Sequence, residues 1–178
     1  MAHFALSAVG ADRPGIVAAV TGALVEHGCN LEDTSMSILR GQFAMMLIVA
    51  GPAGLDAATL EAALAGPAGD LDLVIAVREV AEDVPVADRG EAWAVAVYGA
   101  DRPGIVHRFT SLLAGHGVNV VDLTTRMVGD AERPVYAMIL EVCLPTGLDG
   151  AVLTSHLDAL AREVGVECSA HLSEADIL

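Results

Sequence analysis

The sequence predicts an α+β fold in two similar halves, each with the element order βαββαβ. The stretch Gly10–Val17 recurs without change as Gly99–Val106. Apolar and polar residues alternate with a period of two before each copy, and apolar residues follow each copy at helical spacing. A length of 178 residues suits two small domains, which we place at 1–80 and 91–178. An acidic, proline-containing linker at 81–90 separates them.

Each element of the first half follows from a local pattern. Residues 4–9 alternate in polarity and predict a strand. Ile16, Val20 and Leu24 recur at helical spacing and predict a helix, which Gly28 ends because glycine enters the left-handed conformation easily. The remaining predicted elements are a strand from Asn30 to Ile38, a strand at 43–49, a helix at 55–64 and a strand at 71–77.

The second half repeats this order. Its predicted elements are a strand at 93–97, a helix that stops at Gly117, a strand at 119–127, a strand at 136–142, a helix at 148–160 and a strand at 165–171. Its middle hairpin is longer, with the extra residues at 129–132. Such an insertion costs little stability, because loop-closure entropy grows slowly with length. The order βαββαβ is the ferredoxin-like split βαβ pattern, an antiparallel four-stranded sheet with two helices on one face.

The strand at 43–49 is apolar on both faces, unlike a strand that has one face in water. We therefore expect its outer face to be covered by the other half or by another chain. If another chain covers it, the protein is a homo-oligomer, with a dimer as the simplest form, and this is the state that we predict.

Charge and composition restrict the class of protein. The net charge is −15, and all nine basic side chains are arginines. Such a chain repels phosphate backbones, so we expect no direct nucleic-acid binding. No charge-free apolar run approaches the ~20 residues of a membrane span, and the start lacks the basic flank of a secretory signal. Three cysteines without a Cys-x-x-Cys pair indicate reduced packing residues. The sequence therefore predicts a cytoplasmic protein without membrane contact.

The repeated stretch predicts a turn from a strand into a helix. Pro14 suits the first helical position, which would leave the N–H groups of Gly15, Ile16 and Val17 free for an anionic group. Gly15 has no side chain, so a ligand could approach its backbone closely. The alternative is that the Asp12 carboxylate caps these N–H groups and the motif is only a well-formed turn.

A second polar motif recurs just after each first helix. Asn30 and Asp33 begin the next strand of the first half, and Asn119 and Asp122 do so in the second. In a split βαβ unit the turn and this strand head lie at opposite ends of the helix, so they can meet only across an interface between halves or chains. The alternative is that the asparagine caps the strand and the aspartate is solvated.

These motifs resemble those of ACT domains, small regulatory modules that bind amino acids. Two βαββαβ halves carry Gly-Ala-Asp-Arg-Pro-Gly-Ile-Val and then Gly-x-Asn before an acidic strand, and Gly28–Asp33 also matches the glycine cleavage system transcriptional repressor family. The resemblance implies ligand binding at domain or subunit interfaces. The candidate ligand-binding residues are Asp12, Gly15, Ile16, Asn30, Leu31, Asp33, Asp101, Gly104, Ile105, Asn119, Val120 and Asp122.

The expected function is that of a regulatory sensor of a small amino acid, with glycine or serine as first candidates from the resemblance. It would act through a protein partner, in control of glycine or one-carbon metabolism. The alternatives are a non-sensing oligomeric assembly module and an accessory subunit of a one-carbon enzyme.

We expect no catalytic residues, cofactor or metal site. Neither Gly-x-Ser-x-Gly nor His-Glu-x-x-His occurs in the sequence. His27 and Cys29 could suggest a metal site, but His116 and Val118 do not preserve the pair. His27 and His116 both end helices, where packing and the helix dipole explain them.

Overall fold

A computed structural model describes residues 1–82, 90–129 and 134–173. The chain divides into two compact units, Met1–Pro85 and Val86–Leu178, here called repeat 1 and repeat 2. Each repeat has the predicted order βαββαβ and forms a four-stranded antiparallel sheet with two helices, which confirms the fold class. Residues 83–89 of the predicted linker, and 130–133 of the predicted longer hairpin, lie outside the described residues.

The strands of repeat 1 are arranged in the order β2-β3-β1-β4. Its elements are β1 (Ala2–Ala11), α1 (Ile16–Glu26), β2 (Asn30–Leu39), β3 (Gln42–Gly51), α2 (Ala57–Leu71) and β4 (Leu73–Val80). Both neighbours of β1 run antiparallel to it, with Gly10 opposite Phe43 on one side and Leu73 on the other.

Repeat 2 has the equivalent strand order β6-β7-β5-β8. Its elements are β5 (Ala92–Gly99), α3 (Ile105–Gly115), β6 (Asn119–Val128), β7 (Val135–Cys143), α4 (Gly150–Val164) and β8 (Val166–Leu172).

One face of each sheet is covered by the two helices of the same repeat. In repeat 1, alternate residues of β1 and β3, such as Phe4 and Leu47, are buried against Val20 of α1 and Leu60 of α2. The period of two in the strands and the helical spacing in α1 and α2 therefore converge on one core. In repeat 2 the same core position in α3 is taken by Phe109, which is fully buried.

Helix α2 is longer than its sequence predicts. The Asp56 side chain caps its start by accepting a hydrogen bond from the Thr59 N–H at 2.8 Å, and the helix continues past Pro67 to Leu71. The predicted strand at 71–77 therefore begins late: Asp72 takes a left-handed conformation, with φ 53°, and β4 starts at Leu73. A proline within a helix removes its own N–H donor and crowds the carbonyl four residues earlier, so it destabilises α2. The helix continues nevertheless, because Leu60 and Leu64 are buried in the core.

Helix α4 also differs from its predicted bounds of 148–160. It begins two residues later, at Gly150, and continues to Val164. The side chain of Asp149 caps it by accepting a hydrogen bond from the Ala151 N–H at 2.8 Å. In the described parts of the chain, no helix is both long enough and apolar enough to cross a membrane.

Strand β2 forms an open edge of the repeat 1 sheet. All ten of its residues are exposed, including the apolar side chains of Met36 and Ile38. On the neighbouring strand β3, Met46 lies on the face opposite the helices and is 54% exposed. The expectation that the other half or another chain covers this face therefore stays a prediction.

Candidate functional site

The repeated turn has the same backbone geometry in both repeats. Gly15 precedes α1 with φ 95° and ψ −8°, and Gly104 precedes α3 with φ 91° and ψ −3°. These left-handed angles favour glycine. A Cβ atom on either glycine would meet nothing within 4 Å, so the requirement for glycine comes from the backbone conformation and not from lack of space.

Two expectations about this turn are wrong. Pro14 is not the first helical residue, because Gly15 occupies the N-cap position and α1 begins at Ile16. The first helical hydrogen bond runs from the Ala19 N–H to the Gly15 carbonyl at 2.9 Å, so the N–H groups that precede it are those of residues 16–18 instead of 15–17. Within the described residues, no side chain caps α1 or α3.

Asp12 therefore does not cap the helix. Its backbone N–H donates to the Gly41 carbonyl at 2.9 Å, which fastens the turn to the hairpin between β2 and β3, and its carboxylate is exposed. Ile16 and Ile105 are each only 2% exposed, since their side chains enter the cores. Of these two candidate residues, only the backbone N–H groups remain available to a ligand.

The turn of repeat 2 has an additional anchor. Arg102 donates from Nη1 to the Val164 carbonyl at 2.9 Å, and its guanidinium lies over Gly165 at the end of α4. The last carbonyls of a helix lack intrahelical donors, so an arginine there satisfies one of them. In repeat 1, among the residues the structure describes, the equivalent Arg13 is exposed and has no side-chain partner.

A tyrosine adjoins the turn of repeat 2. Tyr136 lies opposite Gly99 at the end of β5, where repeat 1 has Phe43 opposite Gly10. Burial raises the pKa of the Tyr136 hydroxyl, a hydrogen bond with Thr125 lowers it, and the negative charge of Asp101 raises it. The turn of repeat 2 thus has a phenol beside it, whereas the turn of repeat 1 has a fully apolar ring.

The strand heads contain a β-bulge that aligns their polar residues. In repeat 1, Asn30 is opposite Ala50 and Asp33 is opposite Ile48, with the register shifting at Glu32. Residues three apart in a regular strand point to opposite faces, but the extra residue places Asn30 and Asp33 on the same face. That face is the one away from the helices, because Leu31 between them is opposite the core residue Val49.

Repeat 2 repeats this bulge. Asn119 is opposite Cys143 and Asp122 is opposite Glu141, with the shift at Val121. Asn119 and Asp122 are exposed, as are Asn30 and Asp33, whereas Val120 is half-buried and Leu31 is 42% exposed.

The bulged residues of the two repeats differ in chemistry. Glu32 places Oε1 at 3.5 Å from Nε2 of His3, which is 8% exposed. Val121 at the same place is 57% exposed.

Within each repeat, the turn and the strand head are far apart. Asp12 is bonded to Gly41 at one end of β3, and Asn30 lies beside Ala50 at the other end. Gly41 and Ala50 are nine residue steps apart, which at about 3.4 Å per residue correspond to about 31 Å. The predicted separation is confirmed, and no single repeat brings its own two motifs together.

The helices of repeat 1 border a shallow groove close to the turn. Its volume is about 540 Å³, and it runs from Gly15 between α1 and α2 along small residues such as Gly22 and Gly66. The acidic side chains of Glu26 and Asp70 also line it. In repeat 2, a groove of about 460 Å³ lies instead beside Tyr98 and Gly165.

Cys29 and Cys168 are not activated nucleophiles. Burial, and secondarily the charge of Asp158, raises the pKa of the Cys168 thiol to about 11, and burial also raises the pKa of Cys29. A raised pKa keeps a thiol protonated and unreactive at neutral pH. Among residues 1–82, 90–129 and 134–173, no three metal-ligating side chains cluster.

Several contacts at the turns are not evident from local sequence. The Gly41 carbonyl, the link from Arg102 to Val164, and Tyr136 come from segments distant in the chain. A comparison of the two halves offers one signal, because Phe43 and Tyr136 occupy equivalent strand positions. The bulge has one signal in the sequence, because an asparagine and an aspartate stand three residues apart at the same place in both halves.

Comparisons with known proteins agree on the class of fold. The model of the ACT domain matches residues 3–78 and 93–170. The glycine cleavage system transcriptional repressor of Escherichia coli (strain K12) is 30% identical over 170 residues, which cover 94% of this chain and 88% of that protein.

Two solved structures share the tandem arrangement of elements. A crystal structure of an unknown protein from Galdieria sulphuraria has a TM-score of 0.81 and 28% identity, over 97% of this chain and 98% of that one. A structure described as a candidate glycine cleavage system transcriptional repressor has a TM-score of 0.69 over 98% of both chains, and its 18% identity shows the fold alone.

Proposed function

This chain belongs to the ACT domain family, with one domain in each repeat, and we propose that it senses a small amino acid and signals to a protein partner. Family membership makes it a regulatory and not a catalytic protein. Glycine and serine are the first candidate ligands, because the Escherichia coli relative is named for the glycine cleavage system. We propose that it controls glycine or one-carbon metabolism.

The bulge in both strand heads is the observation that carries this proposal. It sets the Asn30 amide and the Asp33 carboxylate on one exposed face, where they offer acceptors to an ammonium group. The N–H groups at the start of α1 offer donors to a carboxylate, and the helix dipole favours negative charge there. Together the two motifs match the two charged ends of an amino acid.

One repeat cannot supply both ends of such a pocket, since its two motifs lie about 31 Å apart along β3. We therefore propose that the strand head of one copy of the fold and the turn of another copy together form the pocket. The residues we assign to binding are Asp12, the backbone of Gly15 and Ile16, Asn30, Leu31 and Asp33, with Asp101, Gly104, Ile105, Asn119, Val120 and Asp122 in repeat 2.

The open edge of the repeat 1 sheet supports a homodimer as the working state. Unpaired backbone groups of an edge strand can pair with a second strand. Strand β2 is exposed along its whole length and contains exposed apolar residues, among them Leu31 and Met36. Ligand binding at a dimer interface would shift the population of one arrangement, which a partner could then recognise.

The partner that we propose is a protein and not DNA. With a net charge of −15, the nine arginines that could neutralise phosphates are outnumbered by 24 acidic side chains. Tight binding to a DNA duplex at physiological salt would contradict this part of the proposal.

Calorimetric titration of the chain with each of the twenty amino acids tests the sensing function. We expect binding of glycine or serine, and a loss of about tenfold or more in Asp33→Asn or Asp122→Asn, because hydrogen bonds to charged groups contribute about 1.5–3 kcal/mol. Glu26→Gln removes the same charge outside the proposed residues and serves as the matched control. Absence of binding for all twenty amino acids would overturn the proposal.

The exposed edge strand also favours a second candidate, an assembly module that does not sense ligands. Light-scattering mass separates the two. An assembly module keeps one mass with and without amino acids and gains no thermal stability, whereas a sensor gains stability with its ligand.

A further inference from the structure

Two histidine side chains join the helices of repeat 2. His116 ends α3, and His156 lies in the second turn of α4. A hydrogen bond of 3.0 Å joins Nδ1 of His156 and Nε2 of His116, and the ring centroids are 4.8 Å apart with the planes 21° from parallel. Neither residue belongs to the turn or to the strand head of the proposed amino acid site.

The separation of these two nitrogens suits a shared metal ion. Imidazole nitrogen is a preferred ligand of Ni²⁺, Cu²⁺ and Zn²⁺. With bonds of about 2.1 Å and an angle of about 90° at the metal, two ligand nitrogens lie about 3.0 Å apart. A tetrahedral angle would need about 3.4 Å with the same bonds. The observed distance therefore fits an octahedral or tetragonal ion better than a tetrahedral one.

We propose that His116 and His156 form a two-ligand site for a divalent transition-metal ion, with Ni²⁺ and Cu²⁺ as the preferred ions. The ion would replace the hydrogen bond between the rings, and the ring that donates it would change its tautomer. Each ring would carry its proton on the nitrogen facing away from the ion, so both facing nitrogens act as ligands. His156 is exposed and His116 is half-buried, so solvent reaches the pair and water can fill the remaining coordination positions.

Repeat 1 lacks this site although its sequence is similar. His27 ends α1 as His116 ends α3. Its Nδ1 lies 2.9 Å from the Ala23 carbonyl. The position in α2 equivalent to His156 is Ala63, because Leu64 of α2 and Leu157 of α4 are equivalent core residues. The pair, and with it the site, belongs to repeat 2 alone.

A bound ion would link the end of α3 to α4. Any ligand that binds only the folded state stabilises it, so the ion would raise the unfolding midpoint of repeat 2. The only tryptophan of the chain, Trp93, packs against the core of repeat 2 and reports on that repeat by its fluorescence.

Calorimetric titration of the chelator-treated full chain tests the site. The probes are Ni²⁺, Cu²⁺ and Zn²⁺, with Mg²⁺ as an oxygen-preferring control ion. Loss of a partner that only orients a ligand weakens metal binding 10–100-fold, so we expect His116→Gln and His156→Gln each to lose at least about tenfold in Ni²⁺ affinity. His27→Gln should bind as the unmodified chain does.

Two further readouts make the test decisive. Circular dichroism of each variant checks that it is folded, and both variants alter surface-accessible side chains. Saturating Ni²⁺ should raise the Trp93 unfolding midpoint in the unmodified chain and in His27→Gln, but not in His156→Gln. Equal Ni²⁺ affinity in the unmodified chain and in His156→Gln would overturn the proposal, as would loss of affinity in His27→Gln.

Discussion

The two repeats share an identical turn but support it differently. Arg102 fastens the turn of repeat 2 to the end of α4, whereas Arg13 in repeat 1 extends into solvent without a partner among the described residues. Identical sequence therefore determines the local backbone, since Gly15 and Gly104 differ by only a few degrees, while distant residues determine how firmly each turn is held.

The helices that pack behind the turns differ in the same direction. Helix α2 buries only Leu60 and Leu64 and has a proline within it, whereas α4 buries five residues. Arg108 of α3 also forms an ion pair with Glu163 of α4, and within the described residues no ion pair joins α1 to α2. The second helix of repeat 2 thus buries more side chains and has an ion pair to its neighbour, which the second helix of repeat 1 lacks among the described residues.

Replacing one core leucine in α2 or in α4 should reveal the largest difference in stability between the two repeats. Leu64→Ala and Leu157→Ala each remove a fully buried side chain and should lower the free energy of unfolding by about 3 kcal/mol. Leu64→Ala leaves α2 with a single buried leucine, so repeat 1 should lose its structure first. Guanidinium unfolding followed by Trp93 fluorescence for repeat 2, and by circular dichroism for both, measures this. If Leu64→Ala shifted the Trp93 midpoint as far as Leu157→Ala does, the repeats would unfold as one unit.

Substitution of the turn glycines should affect the two repeats equally. Gly15→Ala and Gly104→Ala force an alanine into a left-handed conformation, which destabilises by about 1–2 kcal/mol. Added Cβ atoms meet no neighbours, so no steric term distinguishes the sites. Gly22→Ala within α1 is the control and should stabilise by about 0.5–1 kcal/mol. Thermal unfolding measures all three, and unequal losses at Gly15 and Gly104 would show that the surroundings contribute.

Removal of the two arginines should affect the repeats unequally. Arg102→Ala deletes the hydrogen bond to the Val164 carbonyl and should destabilise repeat 2 by about 1 kcal/mol. Arg13→Ala should remain within about 0.5 kcal/mol of the unmodified chain, as is usual for an exposed residue. Urea unfolding of each single variant gives the values. Equal effects would mean that the Arg102 contact adds no stability.

The last expected effect appears only at alkaline pH. Burial raises the pKa of Cys168 to about 11 from an ordinary value of 9.0, so the folded state keeps a proton that the unfolded state loses. This contribution to stability is complete below about pH 9 and disappears as the pH rises through about 11. Cys168→Ala should therefore reduce the loss of repeat 2 stability between pH 9 and 11, as measured by Trp93 fluorescence. Tyr136 titrates in both proteins, so identical pH profiles would exclude a role of Cys168.

The order of elements could be predicted from sequence because each depends on local periodicity. The bounds of α2 could not, because a proline usually marks a helix end, and Pro67 instead lies within a helix held by the buried leucines Leu60 and Leu64. The start of α1 was predicted two residues too early, at Pro14 instead of Ile16, for a similar reason. Proline suits the first helical position, but the left-handed Gly15 after Pro14 delays the helix to Ile16.

The candidate site could be predicted only in its separate parts. The motifs themselves and their separation within a repeat follow from the sequence and the βαββαβ order. The link from Arg102 to Val164 joins residues 62 positions apart, and the bond of Asp12 to Gly41 depends on the hairpin register. Such contacts are set by tertiary packing, which local pattern does not contain. The residues assigned to ligand binding accordingly stay a prediction.

At the bulges of Glu32 and Val121, the strand can gain or lose one residue without a change in its register. Deleting either bulged residue would leave every later side chain of β2 or β6 facing as it does now, whereas deleting one residue further along would exchange the two faces of the remaining strand. Evolution can therefore lengthen or shorten the strand head by one residue without disturbing the sheet. The head can in this way change its length and its exposed side chains while the fold that supports it stays the same.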